Sequence, residues 1–529
     1  MTQPAVPDAF NLDVVQMRLD AIAQGMQETI FRTAVSPVVR EGADASCALF
    51  SATGELLALS DAIPLLLGAL PGSVDAILAR FPAETMAEGD IFFMNDPFDG
   101  GTHLPDITVL VPIFSQRRLI AFAASILHHQ DIGGMRPGSV PPDATSIFQE
   151  GLRLPPTRLA RNGTILPEAE GLIRLNSRVP DTVLGDIAAQ IAAAEDAARS
   201  LRTIATETGE SAFLDATAAC LDRAEHQSES LIAALPDGPF QGADGLDPTP
   251  GRPPVEVRVR LTLADGRISA DFTGSSPQVA APINCVRSGP LSALLYAVLS
   301  LAPATMYRNG GLLRRISLTL PEASVVNAAP PAPVNARTGM VRCITAAVLQ
   351  ALAQAAPERM PAANSGMSFV LAFSGSWPDG RSFVTTEIIA GGAGGGPDAD
   401  GADAVSTDVG NAMNMPAEAL EEIAPIRLVS ARIRRGSGGP GRWRGGNGIE
   451  RVYEALVDAV SVSLRGDRFE RVSEGLMGGG RPQSSRATVL RTDGTQISLT
   501  ARSAFTLDRG DRLVVESCGG AGYGAATPA

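Results

Sequence analysis

Three of the four histidines in this 529-residue chain stand between positions 103 and 129, each beside a carboxylate, in His103-Leu-Pro-Asp106 and His128-His-Gln-Asp131. Imidazole nitrogen and carboxylate oxygen together suit a borderline divalent ion such as Zn, Mn or Fe. Three protein ligands, His103, Asp106 and His128, would leave a coordination position open for water or substrate, which is the arrangement of a catalytic rather than a structural metal. A lone histidine at a strand end is usually an ordinary polar residue; a cluster is read as a site.

A hairpin must bring the two clusters together. Ile107–Phe114 is apolar and β-branched, Ser115-Gln-Arg-Arg118 reads as a polar turn, and Leu119–Leu127 reads as the returning strand. Symmetric pairing puts residues whose numbers sum to about 233 opposite one another, so Asp106 faces Leu127 one step from His128. Pro112 removes a ladder hydrogen bond, which pushes its strand toward an edge or a bulge.

Composition limits the function classes. The chain is 45% hydrophobic and 19% charged, long enough for two to four domains and without the apolar run of about 18 residues that a membrane helix needs. A formal charge of −14 argues against nucleic acid and anionic membrane surfaces. The start carries no basic and apolar leader pattern, so the cytoplasm is the expected location. Cys47, Cys220, Cys285, Cys343 and Cys518 are scattered with no Cys-x-x-Cys unit, consistent with reduced, structural thiols. No lysine occurs, so all 43 basic residues are arginines. That removes a Walker A lysine, a Schiff base and a lysine base, and any ATP chemistry falls to a partner.

The fold expected is mixed α/β (α+β) and multidomain. An N-terminal helix over 11–35 precedes strands around Cys47–Phe50, Glu55–Leu59 and Asp90–Met94, and two alanine-rich helices over about 180–235 break near Thr208-Gly209. His226 on the second helix reads as a surface residue. Residues from Leu235 to Pro254 read as loop or linker, which gives a metal-site N-terminal domain over 1–240. A central α/β domain over 250–425 follows, with helices at Ser288–Ser300 and Val341–Ala355, and then a β-rich domain over 426–529. Gly391-Gly-Ala-Gly-Gly-Gly396 reads as a flexible loop or as an anion-binding nest. No Gly-x-Ser-x-Gly elbow or His-Glu-x-x-His helix is present. Glu41, Asp44 and Glu150 sit in small or apolar surroundings, each either a ligand or base or a salt-bridged structural residue. Asp131 is placed to orient an imidazole.

Several long motifs together carry a resemblance: Asn95-Asp-Pro-Phe-Asp-Gly-Gly-Thr-His-Leu-Pro-Asp106, His128-His-Gln-Asp-Ile-Gly-Gly134, Gln149-Glu-Gly-Leu-Arg-Leu-Pro155, Asp271-Phe-Thr-Gly-Ser-Ser276, Arg444-Gly-Gly-Asn-Gly448 and Gly519-Gly-Ala-Gly-Tyr-Gly524. From about residue 10 to 524 the chain resembles the hydantoinase B/oxoprolinase family. The resemblance implies a metal held by His103, Asp106 and His128 with Asp44 as fourth ligand. It also implies an A-type subunit that binds ATP, hence a hetero-oligomer, and a small cyclic amide as substrate. Histidines that the resemblance would place at 62 and 66 are Ala62 and Leu66 here. The expected activity is ATP-dependent hydrolysis of a cyclic amide, with His129, Asp131 and Glu150 as candidate catalytic residues and Glu150 or Asp131 assisting proton transfer. Two other roles compatible with the same residues are a subunit of an ATP-dependent ketone carboxylase and a metal-stabilised scaffold without catalysis.

Overall fold

The structure is a computed structural model that describes residues 9–61, 63–248, 253–411 and 413–526. Its first part comprises α1 (Ala9–Thr33), α2 (Pro37–Arg40), β1 (Ala45–Ser51), β2 (Leu56–Leu59), α3 (Ala69–Arg80), β3 (Ile91–Met94), β4 (Asp106–Ser115), β5 (Arg118–His128), β6 (Thr157–Arg161) and β7 (Thr164–Ile165). Helices α4 (Pro167–Asn176), α5 (Pro180–Thr208) and α6 (Glu210–Ala233) follow. The seven strands form one sheet in the order β2-β1-β5-β4-β3-β6-β7. Strand β5 lacks polar alternation because both faces are covered. Phe122, Ala124 and Ile126 pack with Leu70, Val74 and Ile77 of α3, while Ala123 and Leu127 pack with Leu19 and Met26 of α1 and Ile187 and Ala193 of α5. Full burial of a side chain such as Phe122 stabilises by about 1.5–3 kcal/mol, so the central strands are held from both sides. Gln190 of α5 reaches the sheet through its amide, donating to the carbonyls of Ile107 (3.1 Å) and Ser125 (3.2 Å).

The β4–β5 register differs by one from symmetric pairing. Near the turn Ser115 faces Arg118 and Phe114 faces Leu119, but a bulge between Ile113 and Phe114 shifts the rest, so that Pro112 faces Phe122 and Asp106 faces His128. Strand β4 is an interior strand rather than an edge. Pro112 is tolerated there because the β3 pairing runs only from Thr108 to Leu110, short of the proline. The bulge brings Asp106 and His128 directly opposite one another.

A second sheet, ordered β11-β10-β9-β8, contains β8 (Gly238–Gly245), β9 (Glu256–Ala264), β10 (Arg267–Asp271) and β11 (Ile316–Thr319). Helices α7 (Ser288–Leu299) and α8 (Arg337–Ala355) accompany it. Val257, Val259, Leu261 and Leu263 alternate inward against Ile344, Val348 and Leu352 of α8. Part of the stretch read as linker is therefore strand: β8 pairs with β9 along its whole length.

The remainder holds β12 (Phe369–Ser376), β13 (Ser382–Ile389), α9 (Ala417–Ile423), β14 (Ile426–Ile433), β15 (Ile449–Ala455), β16 (Val460–Arg465), β17 (Arg486–Leu490), β18 (Gln496–Ser498), β19 (Arg502–Leu507) and β20 (Arg512–Glu516). Sheets β13-β12-β16-β19 and β14-β15-β20-β17-β18 share one core, with Phe369, Leu371, Val462 and Leu464 facing Tyr453, Val489 and Leu513. The expected division at 425–426 runs through the first of these sheets, because β12 and β13 precede it while β16 and β19 follow it.

The glycine loop is not a flexible one. Gly391, Gly392, Gly394 and Gly395 are buried, and the loop is tied by Gly392 N to Cys518 O (3.1 Å) and Gly395 N to Ala521 O (2.9 Å). A Cβ on Gly394 would stand 1.9 Å from the Ala362 carbonyl oxygen, and one on Gly445 would stand 1.9 Å from that of Gly520. Backbone packs on backbone here, and glycine is required for the close approach. All five cysteines are free and buried. Among the described residues no helix is long and apolar enough to cross a membrane.

Candidate metal centre

Asp44, His128 and Asp106 form one row across three strands. Ala45 pairs with Leu127, the His128 amide donates to the Asp44 carbonyl (3.2 Å), and His128 pairs with Asp106. The row lies at the sheet's end on the α3 face, since Thr108, two residues on from Asp106, donates to Ser73 of α3 (3.2 Å). His103 enters from the loop before β4. Ligand atoms of His103, Asp106 and His128 all lie within 4.8 Å of one another, and the two imidazole centroids are 5.1 Å apart. Asp44, His103 and His128 line a cavity of about 180 Å³.

The electrostatics of this group fit a cation. His103 Nδ1 lies 3.0 Å from the Asn335 carbonyl oxygen and Nε2 lies 2.9 Å from Asp106 Oδ1. Both neighbours are acceptors, so both ring nitrogens would have to carry protons. Burial, with Arg337 nearby, instead pushes the His103 pKa down to about 4, and a neutral ring has one proton for two acceptors. A divalent ion held by His103 and Asp106 would supply the missing positive charge, leaving Nδ1–H to donate to the Asn335 carbonyl and fix the tautomer. His128 Nδ1 is buried with no hydrogen-bond partner. Burial opposes the charge on Asp106, yet His103 and Arg337 hold its pKa well below the usual carboxylate range. Burial raises that of Asp44, opposed by His128. The Asp106 Oδ2 atom accepts from Thr102 and from Arg337 Nη2 at 2.5 Å, in a buried ion pair.

The other sequence candidates lie away from this row. His129, one residue beyond His128, points to the opposite face, toward Asp186 and Gln190 of α5. Its pKa is pushed down to about 4 by burial, and neither ring nitrogen has a hydrogen bond of good geometry. Asp131 is engaged by its own loop: Oδ1 accepts from the amides of Gly133 (2.9 Å) and Arg178 (3.0 Å), and Oδ2 from the Gly138 amide and Arg178 Nη1 (both 2.9 Å). It orients no imidazole. Glu150 is fully buried; its oxygens accept from the amides of Val334 (3.0 Å) and Asn335 (2.9 Å). Burial raises its pKa to about 7 against those two bonds. Glu150 thus acts on His103 through Asn335, whose carbonyl faces the ring, and does not itself reach the cavity. Glu41 is half-buried beside α2. Ala62 lies outside the described residues, and Leu66 is a core side chain packed with Leu70.

Sequence reasoning missed Asn335 and Arg337. They stand in Asn335-Ala-Arg-Thr-Gly339, a polar stretch at the start of α8 whose position ahead of an apolar helix was the available signal. It also missed Arg465 and Arg502, which line the same cavity from the third part of the chain.

Comparison with known proteins is consistent across the chain. The family described as hydantoinase B/oxoprolinase matches residues 8–526. An uncharacterized protein of Methanocaldococcus jannaschii is 32% identical over 98% of this chain and 91% of its own length. A putative B-type subunit of a D-/L-hydantoinase from a Pseudomonas species is 31% identical over 87% of this chain and 81% of its own. The crystal structure of the ATP-dependent caprolactamase from Pseudomonas jessenii superposes with a TM-score of 0.91 at 27% identity, over 98% of this chain and 91% of that one.

Proposed function

Because the chain belongs to the hydantoinase B/oxoprolinase family, we propose that it is the metal-bearing B-type subunit of an ATP-dependent hydrolase that opens a small cyclic amide. The observation that carries this reading is the convergence of His103, Asp106 and His128 beside a cavity about 180 Å³ in volume, small against the ~300–1,000 Å³ of drug-sized sites and suited to a single ring. An A-type partner binds the ATP, since this chain has no lysine to serve a P-loop. The partner transfers a phosphoryl group to the amide oxygen; one water adds to the ring carbon, the C–N bond breaks to leave a free amine and an acyl phosphate, and a second water splits the acyl phosphate into carboxylate and inorganic phosphate.

His103, Asp106 and His128, with Asp44 beside them, would hold the ion, and a bound divalent ion supplies Lewis-acid activation of water. The chain's own residues prepare the site. Asn335 accepts from Nδ1–H of His103 and leaves Nε2 free to ligate. Glu150 fixes the Asn335 peptide. Arg337 keeps Asp106 ionised, and Val140, Ile283, Val370 and Ile388 exclude bulk water from the cavity. The test is co-expression with an A-type subunit and assay of hydantoin, 5-oxoproline and caprolactam with and without ATP and bicarbonate. ATP-dependent ring opening by the complex, absent from the chain alone, is expected. ATP hydrolysis by the single chain, or turnover that requires bicarbonate, refutes the assignment.

A further inference from the structure

One wall of the cavity is the outward face of the sheet β13-β12-β16-β19. Val370 pairs with Arg465, and Arg465 pairs with Arg502, so two arginines stand directly opposite each other across neighbouring strands. Directly paired residues on antiparallel strands share a face, and like charges at such positions repel. Both line the cavity and both are half-buried. Burial is severe enough to push the Arg465 pKa down to about 10, with Arg502 and Arg337 adding to the effect.

The protein compensates this charge unevenly. Arg502 has a carboxylate within reach, with Asp467 Oδ2 at 3.8 Å from its Nη2. The Arg465 guanidinium makes no hydrogen bond or ion pair of contact distance among the described residues. The negative charge it senses is that of Glu150, whose oxygens already serve the amides of Val334 and Asn335. A guanidinium withdrawn from water needs acceptors for its five N–H donors, and a planar oxyanion matches them in pairs.

We infer that Arg465, supported by the charge of Arg502, forms an anion subsite in this cavity, which takes the carboxylate or phosphoryl oxygens of the bound small molecule. This rests on the cavity being the reaction chamber proposed above, and it narrows the substrate class. The ring carries a carboxylate, or the phosphoryl group donated by the partner is held here while the ring opens. A neutral lactam by itself leaves the Arg465 donors unmatched.

The experiment measures binding to the full-length chain by calorimetry, without ATP or partner. The probes are 5-oxoproline, the neutral ring 2-pyrrolidinone, and inorganic phosphate. The proteins are the wild type, Arg465→Gln, Arg502→Gln and Arg465→Lys. At least one anion should bind the wild type ten-fold or more tightly than 2-pyrrolidinone, and that affinity should fall at least ten-fold in both glutamine variants, with partial recovery in Arg465→Lys. Loss for 5-oxoproline alone identifies a carboxylate, loss for phosphate alone a phosphoryl group, and loss for both an oxyanion of either kind. Melting temperature separates binding from folding: relief of the paired charges should leave Arg465→Gln as stable as the unliganded wild type or more so, with metal content unchanged. If neither anion binds in an Arg465-dependent way, or if Arg465→Gln loses stability together with binding, the subsite is refuted. Failure of ring opening in the complex while Arg465-dependent binding persists would instead strike the hydrolase assignment alone.

Discussion

Replacement of Glu150 by glutamine should give a protein that gains stability relative to the wild type as pH rises from 5 to 8. Glu150 is buried, and its pKa is raised from the ordinary 4.5 to about 7, with burial as the main cause. The folded state therefore keeps a proton that the unfolded chain gives up. Stability from this group is full below about pH 4.5 and is lost as pH rises through about 7. At ~1.4 kcal/mol per pH unit, the loss levels off at about 3 kcal/mol. Glutamine is always neutral and keeps one accepting oxygen, but its NH2 meets the amide that the second oxygen served, so near pH 5 the variant should trail by about 1–3 kcal/mol. At pH 8 only the wild type bears the cost of a buried charge, and the variant should have gained up to about 3 kcal/mol relative to its standing at pH 5. For a cooperative unit of 150–250 residues this is a relative Tm gain of roughly 6–12 °C. The assay is thermal melting of both proteins from pH 5 to 8 in the presence of a chelator, so that no bound ion contributes. Parallel Tm profiles would refute the argument. A variant that falls further behind as pH rises would show that the two amide bonds outweigh burial and that Glu150 is ionised throughout.

The other expectations concern the metal group and the glycine layer. His103→Ala and His128→Ala should each lose bound divalent metal by elemental analysis, and full occupancy in both removes the site. Asp44→Asn keeps size and hydrogen bonding, so metal affinity should drop with little change in Tm; a lowered Tm at unchanged metal content assigns Asp44 a structural role. Arg337→Met strands the buried Asp106 carboxylate at a cost of about 3–5 kcal/mol, and added Zn or Mn should restore much of the lost Tm; an equal loss with and without metal would contradict the proximity of ion and carboxylate. Gly445→Ala should destabilise by at least ~1–3 kcal/mol through overpacking, whereas Gly171→Ala, on an open face of α4, should be neutral or stabilising by calorimetry.

What could be read from the sequence was local in the chain. The strands on either side of Ser115–Arg118 are continuous apolar runs, so their pairing was legible, and with it the approach of Asp106 to His128. The one-residue register error came from the bulge beside Pro112, which symmetric pairing cannot anticipate. Asp44 was reached through resemblance, because its placement depends on β1 lying beside β5, a pairing between segments far apart in sequence. Asn335 and Arg337 stand more than two hundred positions from His103 and Asp106, and the polar stretch they share ahead of an apolar helix does not say which residues they meet. Arg465 and Arg502 were hidden among 43 arginines; their meaning appears only once β16 and β19 are paired. For Asp131 and His129 the residue type was suggestive but the direction was not: loop geometry consumes one carboxylate, and strand alternation turns the other side chain to the far face. The strand β8 was masked by its glycines and proline, and the glycine loop was misjudged because composition does not distinguish a mobile backbone from a close-packed one.

The layer in which Gly394, Gly445 and Gly520 meet carbonyl oxygens also shapes how this protein can change. Every single-base missense change in a glycine codon installs a residue with a Cβ, so no mild first step is available at these positions, and a saturation library should return them as a block of inactive variants. Side-chain walls such as Val370 and Ile388 can be exchanged one methylene at a time, so ligand preference can drift while the frame behind it stands still. A backbone-on-backbone layer thereby separates what selection can tune from what it must leave alone.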